Sequence, residues 1–251
     1  MGNVLSINNV SQTYHTKQTE TLALSNLSFQ AKDGEFISIV GPSGCGKTTI
    51  LSLIAGLIKP TSGSIYIEDK LVKGPTTLAS LMFQKDNLLE WLNIYKNVTI
   101  GLSIQHKNTE ENKRRVINLL EKYGLGDFIK SYPQELSGGM RQRVALIRTL
   151  ATNPGILLLD EPFSALDYQT RLKVQNDVFE IIKNEKKTAI LVTHDINEAV
   201  AMSDKIIVLT HRPGKVKCEV KLDFPPEISP ENRRKEPKFY KYYNQIWEAL
   251  K

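Results

Sequence analysis

"GPSGCGKT" at residues 41–48 is the stretch on which the fold turns. A glycine, four residues, Gly-Lys and a hydroxyl residue follow one another at the spacing of a phosphate-binding loop, and both flanks agree with that reading. "EFISIV" (35–40) is a short, nearly continuous apolar run, the pattern of a strand buried on both faces. "TTILSLIAGL" (48–57) reads as the start of a helix. Strand, loop and helix in that order form a cradle. Gly41, Pro42, Ser43, Gly44, Cys45 and Gly46 make the loop whose backbone N–H groups turn inward, and the helix N-terminus adds partial positive charge. Lys47 is placed to reach β and γ phosphates, Thr48 to ligate Mg²⁺, and Thr49 follows on the same turn.

Two further runs, "ILLLD" (156–160) and "TAILVTHD" (188–195), repeat the buried-strand pattern. Ligands in open parallel α/β sheets bind beyond the carboxyl ends of the strands, so the glycine loop, Asp160-Glu161 and His194-Asp195 are expected to meet. Asp160 is then the metal-side carboxylate, and Glu161 the base that orients and deprotonates an attacking water. Paired acids after an apolar strand also cap helices; it is the glycine loop that favours the chemical reading. His15, His106 and His211 have no assigned role, whereas the strand of His194 ends within reach of a γ phosphate.

Further out, "VLSINNVSQTY" and "LALSNLSFQA" read as antiparallel strands. "TEENKRRVINLLEKYGL" sets Val116, Leu119, Leu120 and Tyr123 on one helical face, with Thr109 as N-cap and Gly124 as stop. It is either an ordinary surface helix or part of a helical subdomain inserted into the sheet. The expected division is an ATPase domain over 1–225, with a helical subdomain at about 88–153, and an extension over 226–251. In that extension "DFPPEISPENRRKEPK" reads as an extended connection. "FYKYYNQIWEAL" forms an amphipathic helix with Phe239, Tyr243, Ile246, Trp247 and Leu250 packed on its own domain.

The 251 residues suffice for one α/β domain with a subdomain, and 41% hydrophobic with 24% charged residues is an ordinary globular balance. No run is long and apolar enough to cross a bilayer, and no leader pattern opens the chain, which places it in the cytoplasm. Met1-Gly2 with Ser6 superficially fits an acylation signal. Two cysteines exclude a disulfide framework and a cysteine metal cluster. The net charge of +6 owes much to "RRKEPKFYKYY", read as a solvated tail.

"ELSGGMRQRVALIRTL" (135–150) decides between function classes. A serine and two glycines before a helix make a second anion-binding nest, and one phosphate chain needs only one cradle. A second nucleotide gripped from the far side accounts for it. With this stretch the chain resembles, over nearly its whole length, the nucleotide-binding subunit of an ATP-binding-cassette transporter: a P-loop NTPase with a mainly parallel sheet core, an antiparallel β subdomain and an inserted helical subdomain. The resemblance implies ATP and Mg²⁺ as cofactors and a head-to-tail pair of chains. In that pair Ser137, Gly138 and Gly139 contact the γ phosphate held by the other subunit. It puts Tyr14 on adenine, Gln84 in the Q-loop between magnesium, attacking water and membrane subunit, residues 164–167 in the D-loop, and His194 at the switch position. Glu161, His194, Lys47 and Gln84 become the catalytic set, and Thr48, Gln84 and Asp160 the metal set.

Met140, where many members have glutamine, is similar to the variant in importers of nitrate, sulfonate and taurine type. "KDNLLEWLNIYKNVTIGL" after Gln84 resembles the segment facing the permease, with Trp91 as aromatic anchor or as core packing. "HRPGKV" and the tryptophan helix also resemble that importer group and the thiamine-precursor importers. The implied partners are a second copy, a transmembrane permease and, indirectly, an extracytoplasmic substrate-binding protein, at the cytoplasmic face of the membrane and without nucleic acid. A cassette ATPase acting on nucleic acid or ribosomes would tend to show a second cassette or a long coiled-coil insertion, and a P-loop small-molecule kinase would not need the second nest. Cys45, beside Lys47 and a helix N-terminus, is expected to favour thiolate, so that alkylation inhibits and ATP protects.

Overall fold

The structure is a computed structural model that describes residues 3–15, 19–225 and 227–251; Met1 and Gly2, and with them the acylation pattern, lie outside the described residues. The chain runs β1 (Asn3–His15), β2 (Glu20–Lys32), β3 (Phe36–Val40), α1 (Lys47–Ile54), β4 (Ser62–Ile67), β5 (Lys70–Leu71) and β6 (Ala79–Met82). A helical stretch follows: α2 (Ile94–Ile104), α3 (Glu110–Lys122) and α4 (Gly138–Ala151). Then come β7 (Ile156–Asp160), α5 (Tyr168–Asn184), β8 (Thr188–Val192), α6 (Ile196–Met202), β9 (Lys205–Leu209) and β10 (Val216–Lys221). The last elements are α7 (Pro230–Arg233) and α8 (Pro237–Leu250).

Two sheets form. The order β10-β9-β3-β8-β7-β6 is parallel except for β10, which pairs antiparallel with β9. The order β2-β1-β4-β5 is antiparallel throughout. The apolar runs are continuous because each central strand feeds two cores. Ile37, Ile39, Leu158, Ile190 and Val192 face the core shared with α1 and the antiparallel sheet. Phe36, Val40, Leu157, Leu159, Ala189 and Leu191 face the core shared with the helices. Alternate side chains point to opposite faces of a strand, so a strand covered on both sides is apolar at nearly every position; in β3 the exception is Ser38, fully buried with its hydroxyl on that of Ser203.

In the helical stretch Thr109 caps α3 by accepting the Asn112 N–H, and Gly124 ends it at φ +72. Val116, Leu119 and Leu120 are buried, while Tyr123 is half-buried with its hydroxyl on Glu185. The segment after Gln84 is tied by Asn97, whose amide donates to the carbonyls of Leu89, Leu92 and Asn93 while its oxygen accepts the Leu89 N–H.

At the carboxyl end two expectations change. The connection is not wholly extended, since Ser229 caps the short α7. Nor is the charge run a solvated tail. Arg233 is fully buried, 5.1 Å and 5.2 Å from the rings of Phe179 and Phe224, and donates to Ser203 O at 2.7 Å. The aromatic faces, the carbonyl and the Asp204 carboxylate, 3.7 Å from Nη2, offset part of what the buried guanidinium loses from water, while Nε and Nη2 make no hydrogen bond. On α8, Phe239 and Ile246 are buried, whereas Trp247 is half-exposed and stacked on Tyr243. Among the described residues no helix is long and apolar enough to cross a membrane.

Candidate active site

The carboxyl end of β3 delivers the loop 41–48 into a cleft of about 490 Å³ lined by Tyr14, Ser43, Gly44, Gly46, Lys47, Thr48, Thr49 and Glu161. Gly46 carries φ +105, and a Cβ there would come 2.6 Å from Leu24 Cδ2, so only glycine fits this turn. Lys47 Nζ donates to the carbonyls of Gly41 and Pro42 at 2.8 and 3.1 Å, lying back across the loop whose N–H groups form the cradle. The Tyr14 hydroxyl is 3.2 Å from Thr49 Oγ1, which sets the ring at the rim.

The carboxyl ends of β7 and β8 arrive beside it. Thr48 Oγ1 donates to Asp160 Oδ1 at 3.3 Å. Burial pushes the Asp160 carboxyl above the usual range, with Glu161 adding to the rise and Thr48 and Lys47 opposing it. Glu161 stands at φ +44, a left-handed conformation costly for a residue with a side chain and held by its N–H on Val192 O at 2.9 Å. Glu161 Oε2 lies 3.1 Å from His194 Nδ1. Ser164 Oγ donates to the Glu161 carbonyl at 3.0 Å and accepts from Gln84 Nε2 at 3.1 Å. Thr48 with Asp160, and Gln84 and His194 with Glu161, thus form two bonded groups joined at the Asp160-Glu161 peptide, while Lys47 is bonded within its own loop. A hydroxyl, a carboxylate and an amide oxygen are hard donors, few enough to leave waters on the ion, and this set fits Mg²⁺.

Ser137, Gly138 and Gly139 are not part of either group. Ser137 caps α4 by accepting the Met140 N–H, and the nest opens into a separate cleft of about 390 Å³ with Met140, Ala165, Leu166 and Asp167. The two clefts share no lining residue.

The thiolate expectation for Cys45 is corrected. The side chain is 1% exposed, and burial raises its thiol above the ordinary value against the opposing charge of Lys47. Core packing of Trp91 is excluded as well, since the residue is 73% exposed, with Phe83 of the same region 48% exposed.

Sequence reasoning missed Arg212, which lines the cleft of the loop 41–48 and donates through Nε to Gly44 O at 3.0 Å. It follows β9, the other parallel neighbour of β3, so beside β3, β6, β7 and β8 a fifth strand end opens on the site. The apolar "KIIVL" (205–209) shortly before it signals a strand, though not the place of that strand beside β3. Also missed was the grip of α4 on the segment after Gln84. Arg141 holds Asp86 through two hydrogen bonds at 2.8 and 3.1 Å, and Arg148 donates to the Asp86 and Asn87 carbonyls. Burial works against ionising Asp86, but Arg141 and the Leu88 N–H outweigh it and hold the carboxyl below the usual range.

Comparison with known proteins agrees with this geometry. The ABC transporter family model matches residues 24–164. The chain is 47% identical to the uncharacterized ABC transporter ATP-binding protein YtlC of Bacillus subtilis, covering 98% of this chain and 95% of that one. It is 38% identical to the nitrate import ATP-binding protein NrtD of Synechocystis sp., covering 98% and 95%. A solved dimeric post-hydrolysis state of the ATP-binding cassette MJ0796 bound to ADP and Pi superposes with a TM-score of 0.73 at 35% identity, covering 88% of this chain and all of that one.

Proposed function

Because this chain belongs to the ABC transporter family, we propose that it closes with a second copy of itself around two ATP molecules and drives a membrane permease for uptake of a small solute. It is a cassette ATPase whose hydrolysis is coupled to transport. The observation that carries the paired site is the separation of the two nests: the Ser137 cleft has no phosphate loop of its own, and the loop cleft has no second nest. A head-to-tail copy supplies each with the other.

In this reading the loop 41–48 grips the phosphates, Lys47 neutralises their charge, Tyr14 supports adenine and Ser137, Gly138 and Gly139 reach across to the γ phosphate. Thr48, Asp160 and Gln84 would hold Mg²⁺, which supplies charge neutralisation on the phosphate oxygens. Glu161 orients and deprotonates the water, and the contact with His194 fixes which way its carboxylate points. The exposed Trp91 and Phe83 form the face offered to the permease, at the cytoplasmic side of the membrane. The names of relatives such as the nitrate importer support a solute of nitrate, sulfonate, taurine or thiamine-precursor kind, delivered by an extracytoplasmic binding protein.

The test is ATP turnover at increasing nucleotide concentration in the wild type and in Ser137→Arg. Cooperative turnover, abolished by the arginine in the far nest, is expected. Full activity in the variant would overturn the paired site.

A further inference from the structure

Thr193, the residue before His194, is held by a buried carboxyl group, and Asp195, the residue after it, is held in turn by Thr193. Thr193 Oγ1 donates to Glu198 Oε2 at 2.5 Å and accepts the Asp195 N–H at 3.0 Å. Asp195 in turn caps α6, accepting the N–H groups of Asn197 and Glu198. Glu198 is 5% exposed, and its Oε1 is buried without a partner. That geometry costs a neutral acid less than an ionised one: the carbonyl oxygen of the acid accepts from threonine and an uncharged O–H is left unpaired, whereas an ionised carboxylate would leave a bare charged oxygen out of water.

We propose that Glu198 is a positioning residue for ATP hydrolysis: as a neutral acid it holds Thr193 and thereby the turn that sets His194 against Glu161. The proposal rests on the reading of Glu161 and His194 given above. The charged groups around it are Asp195 on its own turn, Glu161 from the end of β7, Arg171 from α5 and Arg234 beyond α7. Arg171 is engaged elsewhere, donating to Leu166 O at 2.9 Å and lying 4.0 Å from Asp195 Oδ2. Arg234 donates to Gln175 Oε1. Neither cation forms a hydrogen bond or ion pair with the Glu198 carboxyl, whereas Asp195 and Glu161 add like charge. Burial, with these two anions, pushes Glu198 up to about 8. Above that pH the new anion faces two others, and the turn is expected to shift.

The experiment is ATP turnover of the full chain from about pH 6.5 to 9.5 in four variants beside the wild type. The wild type should lose kcat on an alkaline limb near pH 8. Glu198→Gln, neutral and of the same shape, should keep neutral-pH turnover and lose that limb. Thr193→Val should lower kcat roughly ten- to a hundredfold with little change in KM, and Thr193→Ser should restore it. A wild-type limb in Glu198→Gln, or undiminished kcat in Thr193→Val, would overturn the proposal. Glu161→Gln is measured alongside: if it turns over normally the base assignment fails, while the limb in Glu198→Gln still decides the role of Glu198.

Discussion

Glu161 and Glu198 are both glutamates within reach of His194's turn, yet their surroundings divide them. Glu161 is held out into the cleft by a left-handed backbone and meets a histidine. Glu198 is sealed behind the turn on a threonine hydroxyl. The sealed group has a thermodynamic signature of its own. An unfolded chain releases its proton near the ordinary value of 4.5, whereas the native chain keeps it to about 8. Between those values the native state binds more protons, so the stability this residue contributes is full below the ordinary value and is lost as pH rises through about 8. Glutamine does not titrate. The unfolding free energy of Glu198→Gln should therefore gain on the wild type between pH 5 and 8 by on the order of a few kcal/mol and then level off. Urea denaturation at stepped pH reads this difference, and a gap that stays constant with pH would contradict it. Cys45 shows the converse limit of reading a chain. Its sequence neighbours favour thiolate, but burial beneath the loop outweighs them, and burial is not written in neighbouring residues.

At the scale of elements, what was legible followed from short spacing rules. The loop 41–48, the cap of α3 at Thr109, the stop at Gly124 and the strands β3, β7 and β8 each depend on residues close together in the chain. Their backbone geometry was accordingly readable. Arg212 depends on β9 lying beside β3, a fact of strand order that no local pattern contains. Arg233 misled for a related reason: a charge run reads as solvated until Phe179 of the distant α5, together with Phe224 of the preceding connection, is found around it. Its burial ties the segment after β10 to α5 and the end of α6. Arg233→Ala leaves a cavity between the rings and an unpaired Ser203 carbonyl, at a cost of roughly 3 kcal/mol. The melting temperature should fall by about 6–12 °C, read by calorimetry. A fall of less than a degree or two would mean that the stack contributes nothing.

For the whole molecule, the sheet gathers five strand ends around one cleft, while α4 carries the second nest to another. The second nest was legible as a motif, because it is redundant within a single chain and redundancy is visible in sequence. The spatial separation of the nests was not legible, since it arises from how α2, α3 and α4 pack beside the sheet. The segment between Gln84 and Asn97 joins these parts: Gln84 reaches Glu161 through Ser164, and Arg141 and Arg148 bind the following residues to the helix that bears Ser137.

The most direct measurement is the mass in solution of Glu161→Gln with ATP and Mg²⁺, by light scattering after gel filtration. Loss of the base with the grips intact should trap a species of twice the chain mass, and adding Ser137→Arg should return it to a single chain. A Glu161→Gln protein that stays single at saturating ATP, or a double variant that pairs as well as the single one, would contradict the shared site.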